Sequence, residues 1–300
     1  MTGTVPDLAA LPAPESYATL CARFLRAVRA LRDWSSGYGD LLPESIFEAV
    51  CLMQVHHAPW HSAEQLRVHN RMSVWLMCLD DLAEGAGTSA ELDGVLDRCR
   101  HVIHGGRPAP GDDFARCLYD IRTQLTTALV WPALSPQWTM LFERTLTAMR
   151  TERDMRSAID CGAAPPTIED YLANCDNTEV RIAQCTYWIA TGEPALLDHI
   201  EPLLAALWQA QVAIRWANDF RSVQRRDDES TVVNAGSIGI EPAEIRRRAD
   251  DAALRCGELL APLIARSVPE ALALDRMTRS VITLYGVSDY RPLAAESPAG

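Results

Sequence analysis

The chain has 300 residues, 48% of them hydrophobic and 23% charged, an ordinary globular composition with enough apolar material for a sizeable core. Its formal net charge is -12, and all 28 basic residues are arginine. That balance argues against nucleic acid or an anionic membrane as a partner; an acidic protein that handles an anionic substrate needs a cation between them.

Taken in chain order, the pattern is helical throughout. Residues 1–14, rich in Pro and Ala, are expected to form a flexible arm. The apolar spacing predicts helices over 15–34, 43–57, 64–84, 89–104, 112–131, 136–160, 167–191, 198–227, 241–266 and 269–287. Gly85-Ala86-Gly87, Gly105-Gly106, Pro165-Pro166 and Gly192-Glu193-Pro194 punctuate them. No alternating strand, internal repeat or linker is found. A single domain over 15–292 and a disordered tail over 293–300 are expected. The nine cysteines are scattered and contain no CxxC pair, so they read as reduced core residues of a cytoplasmic protein. Neither a signal peptide nor a membrane span is expected.

Two segments carry chemistry. The run Val74-Trp75-Leu76-Met77-Cys78-Leu79 is apolar all round, as a buried helix is. It leads into Asp80-Asp81-Leu82-Ala83-Glu84, which Gly85 terminates. Asp80 and Glu84 share a face. Carboxylates at a helix C-terminus repel one another and the negative end of the dipole. A hard divalent cation relieves both, and Mg²⁺ is the natural candidate. Asp112-Asp113 follows Pro110-Gly111 and reads instead as a helix N-cap.

The second segment ends the apolar stretch from Leu204 to Phe220. Asn218 and Ser222 lie one turn apart on one face, with Arg215 one turn earlier. An amide and a hydroxyl are neutral oxygen ligands, and arginines beside them grip phosphate oxygens bidentately. Read alone, it is equally an ordinary polar helix end.

Together these segments resemble the class I terpene synthases. Asp80-Asp81-Leu82-Ala83-Glu84 is similar to the family's DDxxD/E motif, and Asn218-Asp219-Phe220-Arg221-Ser222 to the opening of NDxxSxxxE. The chain departs from the second motif at its last position, where Arg226 stands in place of a carboxylate, with Asp227 next to it. A π-bulge would bring Asp227 round as a ligand; otherwise Arg226 faces the diphosphate. Arg225 occupies the place of a diphosphate-binding Lys. In the stretch similar to YLxxRRxT, Cys175 and Asp176 replace the arginines. Arg215 resembles the diphosphate-binding Arg that plant enzymes carry at this offset. Near the C-terminus Tyr290 is kept, and Arg291 follows it instead of preceding it. The combination is most similar to small bacterial labdane-related class I diterpene synthases of the kaurene or pimaradiene type.

The resemblance implies an all-α helical bundle around a central apolar cavity. It implies several Mg²⁺ ions held by Asp80, Glu84, Asn218 and Ser222, with Asp227 as a further ligand and Asp81 supporting. Diphosphate falls to Arg215, Arg225, Arg226, Tyr290 and Arg291, and aromatic walls to Phe47, Trp75, Tyr187, Trp188, Trp216 and Tyr285. The implied reaction ionises a copalyl-type bicyclic or linear C20 diphosphate, rearranges the cation to a diterpene and releases pyrophosphate. The chain has no DxDD segment, so a bicyclic substrate needs a separate class II cyclase. The rivals are a sesquiterpene synthase acting on farnesyl diphosphate and an inactive helical scaffold. A homodimer is compatible with the reading.

Overall fold

Eleven α-helices account for most of residues 14–225 and 233–288, the part of the chain that the computed structural model describes, and no strand occurs among them. The two terminal segments, Arg226, Asp227, Tyr290 and Arg291 lie outside the described residues, as does the side chain of Arg225. The helices are α1 Pro14–Ser35, α2 Phe47–His57, α3 Arg67–Gly85, α4 Ser89–Ile103, α5 Asp113–Leu125, α6 Trp131–Asp160, α7 Ile168–Ala173, α8 Val180–Thr191, α9 Ile200–Arg225, α10 Pro242–Ala265 and α11 Pro269–Tyr285.

Local chemistry sets several ends. Asp112 caps α5 by accepting from Ala115 N at 3.0 Å, as its position after Pro110-Gly111 predicts. Thr88 and Glu91 close a reciprocal capping box on α4. Helix α3 ends at Gly85 as expected. Helix α6 starts at Trp131, five residues before the predicted 136. Pro132 sits in its first turn, where a missing N–H removes no helical bond, so proline there does not delay the start.

The predicted helix over 167–191 is two helices. Between α7 and α8 the chain makes a 3₁₀ turn, Cys175–Thr178, and then Glu179 takes φ +61°. A carboxylate inside the bundle explains the break. Asp176 is buried and accepts from Arg144 Nε at 2.7 Å, Gln211 Nε2 at 2.7 Å and Arg181 Nη1 at 3.2 Å. A continuous helix would not leave that turn free to present it to three helices at once. Asp176→Ala should lower stability by about 3 kcal/mol, because it strips the largely buried Arg181 guanidinium of its counter-charge. Urea unfolding measures this.

Packing follows from the apolar faces. Helix α9 runs through the interior with Leu203, Ala206, Leu207, Ala210, Ala213 and Trp216 buried, against α8, α10 and α11. Helix α3 packs on α1, α2, α5 and α8, with Val74, Trp75, Leu76 and Leu79 buried. Seven cysteines are buried thiols, and Cys21 and Cys161 are exposed.

Candidate active site

The acidic motif occupies the last turn and a half of α3. Asp80 is half-buried, Asp81 and Glu84 are exposed, and all three are engaged in polar or electrostatic contacts. The motif thus emerges from the core, as the apolar run before it dictates. Asn218 and Ser222 are both half-buried near the C-terminal end of α9, where Ser222 Oγ donates to the Asn218 carbonyl at 3.3 Å. Helix α8 packs against both α3 and α9 and so holds the two motif helices in one framework. The donors are carboxylate, amide and hydroxyl oxygens, the set a hard divalent cation takes. Among the described residues no group of three or more His, Cys, Asp or Glu could hold a metal by itself. An ion here therefore also needs the neutral oxygens of α9 or those of a diphosphate.

Arg215, expected to reach diphosphate, is 5% exposed and bonded to protein on several sides. Its Nη2 donates to the Val233 carbonyl at 2.6 Å, its Nε donates to Tyr171 Oη, and its guanidinium lies 4.8 Å from the Tyr171 ring centre. Asp219 Oδ1 is 3.4 Å from Nε, and Glu152 Oε1 is 3.7 Å from Nη2. Asp219 also accepts from Tyr171 Oη and, at 3.0 Å, from Ala235 N. Burial pushes the Asp219 carboxyl well above its ordinary value of 3.8, with the Ala235 N–H opposing. Tyr171, Arg215 and Asp219 therefore tie α7 and α9 to the chain at 233–235. Sequence reading misses this latch. Its one local signal is the i,i+4 spacing of Arg215 and Asp219.

Four of the expected wall aromatics are packed in the core. Phe47, Trp75, Trp188 and Trp216 are at most 1% exposed. Trp75 stacks on Phe114 at 4.7 Å and donates from Nε1 to the Phe114 carbonyl at 3.1 Å, so its ring is spent on α5. Trp216 lies 5.6 Å from the Tyr171 ring, inside the latch. Tyr285 is half-buried. Tyr187 lines a small cavity together with Gln54, His57, His69 and Gln184. An open groove of about 640 Å³ between α6 and α7 is lined by Asp176 but by none of the expected metal ligands.

The histidines of that cavity make stability acid-sensitive. Burial pushes His69 down to about 3, partly offset by hydrogen bonding to the Ala183 backbone, and pushes His57 well below 6.5, with His69, His56 and Arg276 adding. Both stay neutral when folded and take up protons when unfolded. Stability is therefore full above the unfolded value of 6.5 and falls as the pH drops towards 3. His69 should cost stability across that window, and His57 should add to the loss once the pH falls below 6.5. Unfolding midpoints from neutral to acid pH read this slope, and His69→Phe should flatten it.

Over residues 71–239, more than half its length, the chain matches terpene synthase family 2, C-terminal metal binding. The chain therefore belongs to the class I terpene synthases, and it is a carbon–oxygen lyase of that class. Among curated proteins it is similar to the ent-pimara-9(11),15-diene synthase of Streptomyces sp. (strain KO-3988), at 26% identity over 272 residues, covering 89% of this chain and 91% of the relative. Among solved structures it resembles the linalool/nerolidol synthase of Streptomyces clavuligerus in complex with 2-fluorogeranyl diphosphate (16% identity, TM-score 0.67, 88% of this chain and 94% of that one). It also resembles the SVS_A2 protein from ancestral sequence reconstruction (20% identity, TM-score 0.68, 95% of this chain and 89% of that one). These two structures bear on the fold. No described helix is long and apolar enough to cross a membrane.

Proposed function

We propose that the protein is a Mg²⁺-dependent class I diterpene synthase that ionises a copalyl-type bicyclic diphosphate supplied by a separate class II cyclase. The observation that carries the substrate class is the similarity to the ent-pimara-9(11),15-diene synthase along nearly the full length of both chains. The departures around Cys175, Asp176 and Arg215 point the same way. Farnesyl diphosphate is the second reading.

Asp80, Glu84, Asn218 and Ser222 are the residues that would hold Mg²⁺, and Asp81 would support them. When bound, the ions would neutralise the diphosphate as it leaves. Asp80 and Glu84 contribute fixed negative charge at the end of α3, which concentrates divalent cation there. Asn218 and Ser222 contribute neutral oxygens from α9. Arg225, Arg226, Tyr290 and Arg291 are proposed to bind phosphate oxygens, joined by Arg215 once it leaves the latch. The buried faces of α3, α8 and α9 exclude water from the cation that ionisation creates.

Thermal unfolding with Mg²⁺ and pyrophosphate tests the metal and diphosphate reading. Binding to the folded state alone should raise the midpoint by about 2.7 kcal/mol of stability at a hundredfold excess over Kd. A midpoint that ignores both ligands would leave the inactive scaffold as the better reading.

A further inference from the structure

A small, partly open cavity of about 10 Å³ lies between α2, α3, α8 and α11, lined by Gln54, His57, His69, Gln184, Tyr187 and Ala273. That is about the volume needed for one water molecule. Most of the polar groups facing it are satisfied by protein. Gln54 Nε2 donates to Ser73 Oγ at 3.3 Å, His57 Nε2 is 2.7 Å from Ser280 Oγ, and Tyr187 Oη is 3.1 Å from His61 Nε2. Two fully buried atoms of the lining residues have no hydrogen-bond partner: His69 Nδ1 and Gln184 Nε2. Both residues are 3% exposed.

The two orphans are chemically complementary. A neutral imidazole carries one N–H and one lone pair. In the tautomer that carries its proton on Nε2, the buried Nδ1 lone pair is an acceptor with no partner in the protein. The Gln184 amide is a donor. A water molecule accepts from one and donates to the other at the same time, and leaving either group unpaired in the interior costs about 1–3 kcal/mol.

We propose that this cavity is a binding site for a single water molecule, held between Gln184 Nε2 and His69 Nδ1, which bridges α8 to α3. The site is independent of which diphosphate the enzyme uses. His69 lies eleven residues before Asp80, three helical turns down the same stripe of α3 and about 16 Å beneath it. The bridge therefore fixes the buried end of the helix whose other end carries the acidic motif. His69 and Gln184 act as positioning residues through that water.

A high-resolution crystal structure of the full chain tests this directly. The expected result is one fully occupied water oxygen about 2.7–3.2 Å from both atoms. Gln184 bonded straight to His69, or an empty cavity, would overturn it. A thermal double-mutant cycle gives a second reading. His69→Phe and Gln184→Met should each lower Tm, because each strands the other group, and the double variant should lose less than the sum of the two. Additive losses would show that no shared water links them. Should a single variant fail to fold, the crystal structure of the unaltered chain still decides.

Discussion

Replacing Asp80 with alanine lowers kcat by about two to three orders of magnitude, while Asp81→Ala has a smaller effect. The difference comes from helix geometry. Asp80 and Glu84 stand one turn apart on the same face of α3, and Asp81 points about 100° away from Asp80. Asp80 is also the half-buried member of the three, where charge is screened least and a bound cation is held most strongly. With Asp80 in the proposed role of metal ligand, removing it withdraws leaving-group stabilisation, which acts in the transition state and so appears in kcat rather than in KM. Steady-state pyrophosphate release across a range of Mg²⁺ concentrations measures both variants. Equal and near-normal turnover in the two would remove Asp80 from the site.

Arg215→Ala unfolds the latch and lowers stability by about 3–5 kcal/mol. The guanidinium is 5% exposed and bridges Tyr171, the Val233 carbonyl, Asp219 and Glu152. Alanine leaves Glu152 without that counter-charge and the Val233 carbonyl without that donor. It also leaves Asp219 alone to hold α7 and residues 233–235 to α9, through Tyr171 Oη and Ala235 N. Arg215→Lys keeps the charge but lacks the planar fork, so it restores only part of the stability. Urea midpoints with an unchanged m-value would show that folding, and not compactness, has changed. A loss under about 1 kcal/mol would mean the latch holds nothing together. Arg215 also bears on catalysis, since the same side chain is proposed to bind diphosphate. Turnover of Arg215→Lys, measured well below its lowered unfolding midpoint, would separate the two roles: impaired turnover of the folded variant points to diphosphate binding.

The helices are legible in the sequence because their signals are local. The apolar run from Val74 to Leu79, the Gly85 stop and the Asp112 cap each lie within a few residues of what they determine. The acidic motif is legible for the same reason. What escapes reading depends on partners far apart in sequence. The break at Cys175–Thr178 answers Arg144 and Gln211, which lie some thirty residues away on either side of Asp176. The burial of Trp75 and Trp188 depends on which neighbours the helices present, and periodicity cannot tell a chamber wall from a packed layer. The His69 and Gln184 pair lies on two helices more than a hundred residues apart and carries no spacing signal. Arg226 and Asp227 lie outside the described residues, so the choice between them rests on the sequence pattern. Arg226→Glu should lower the Mg²⁺ concentration for half-maximal activity if Arg226 faces the diphosphate; a severe Asp227→Ala would instead favour the bulge.

The most direct measurement of the central claim is product analysis by mass spectrometry. The purified chain is incubated with Mg²⁺ and, in parallel, with copalyl-type bicyclic diphosphates, linear C20 diphosphate and farnesyl diphosphate. The account predicts a cyclic diterpene and released pyrophosphate from a copalyl-type substrate, abolished when the metal is chelated. Efficient cyclisation of farnesyl diphosphate with no turnover of any copalyl isomer would contradict it.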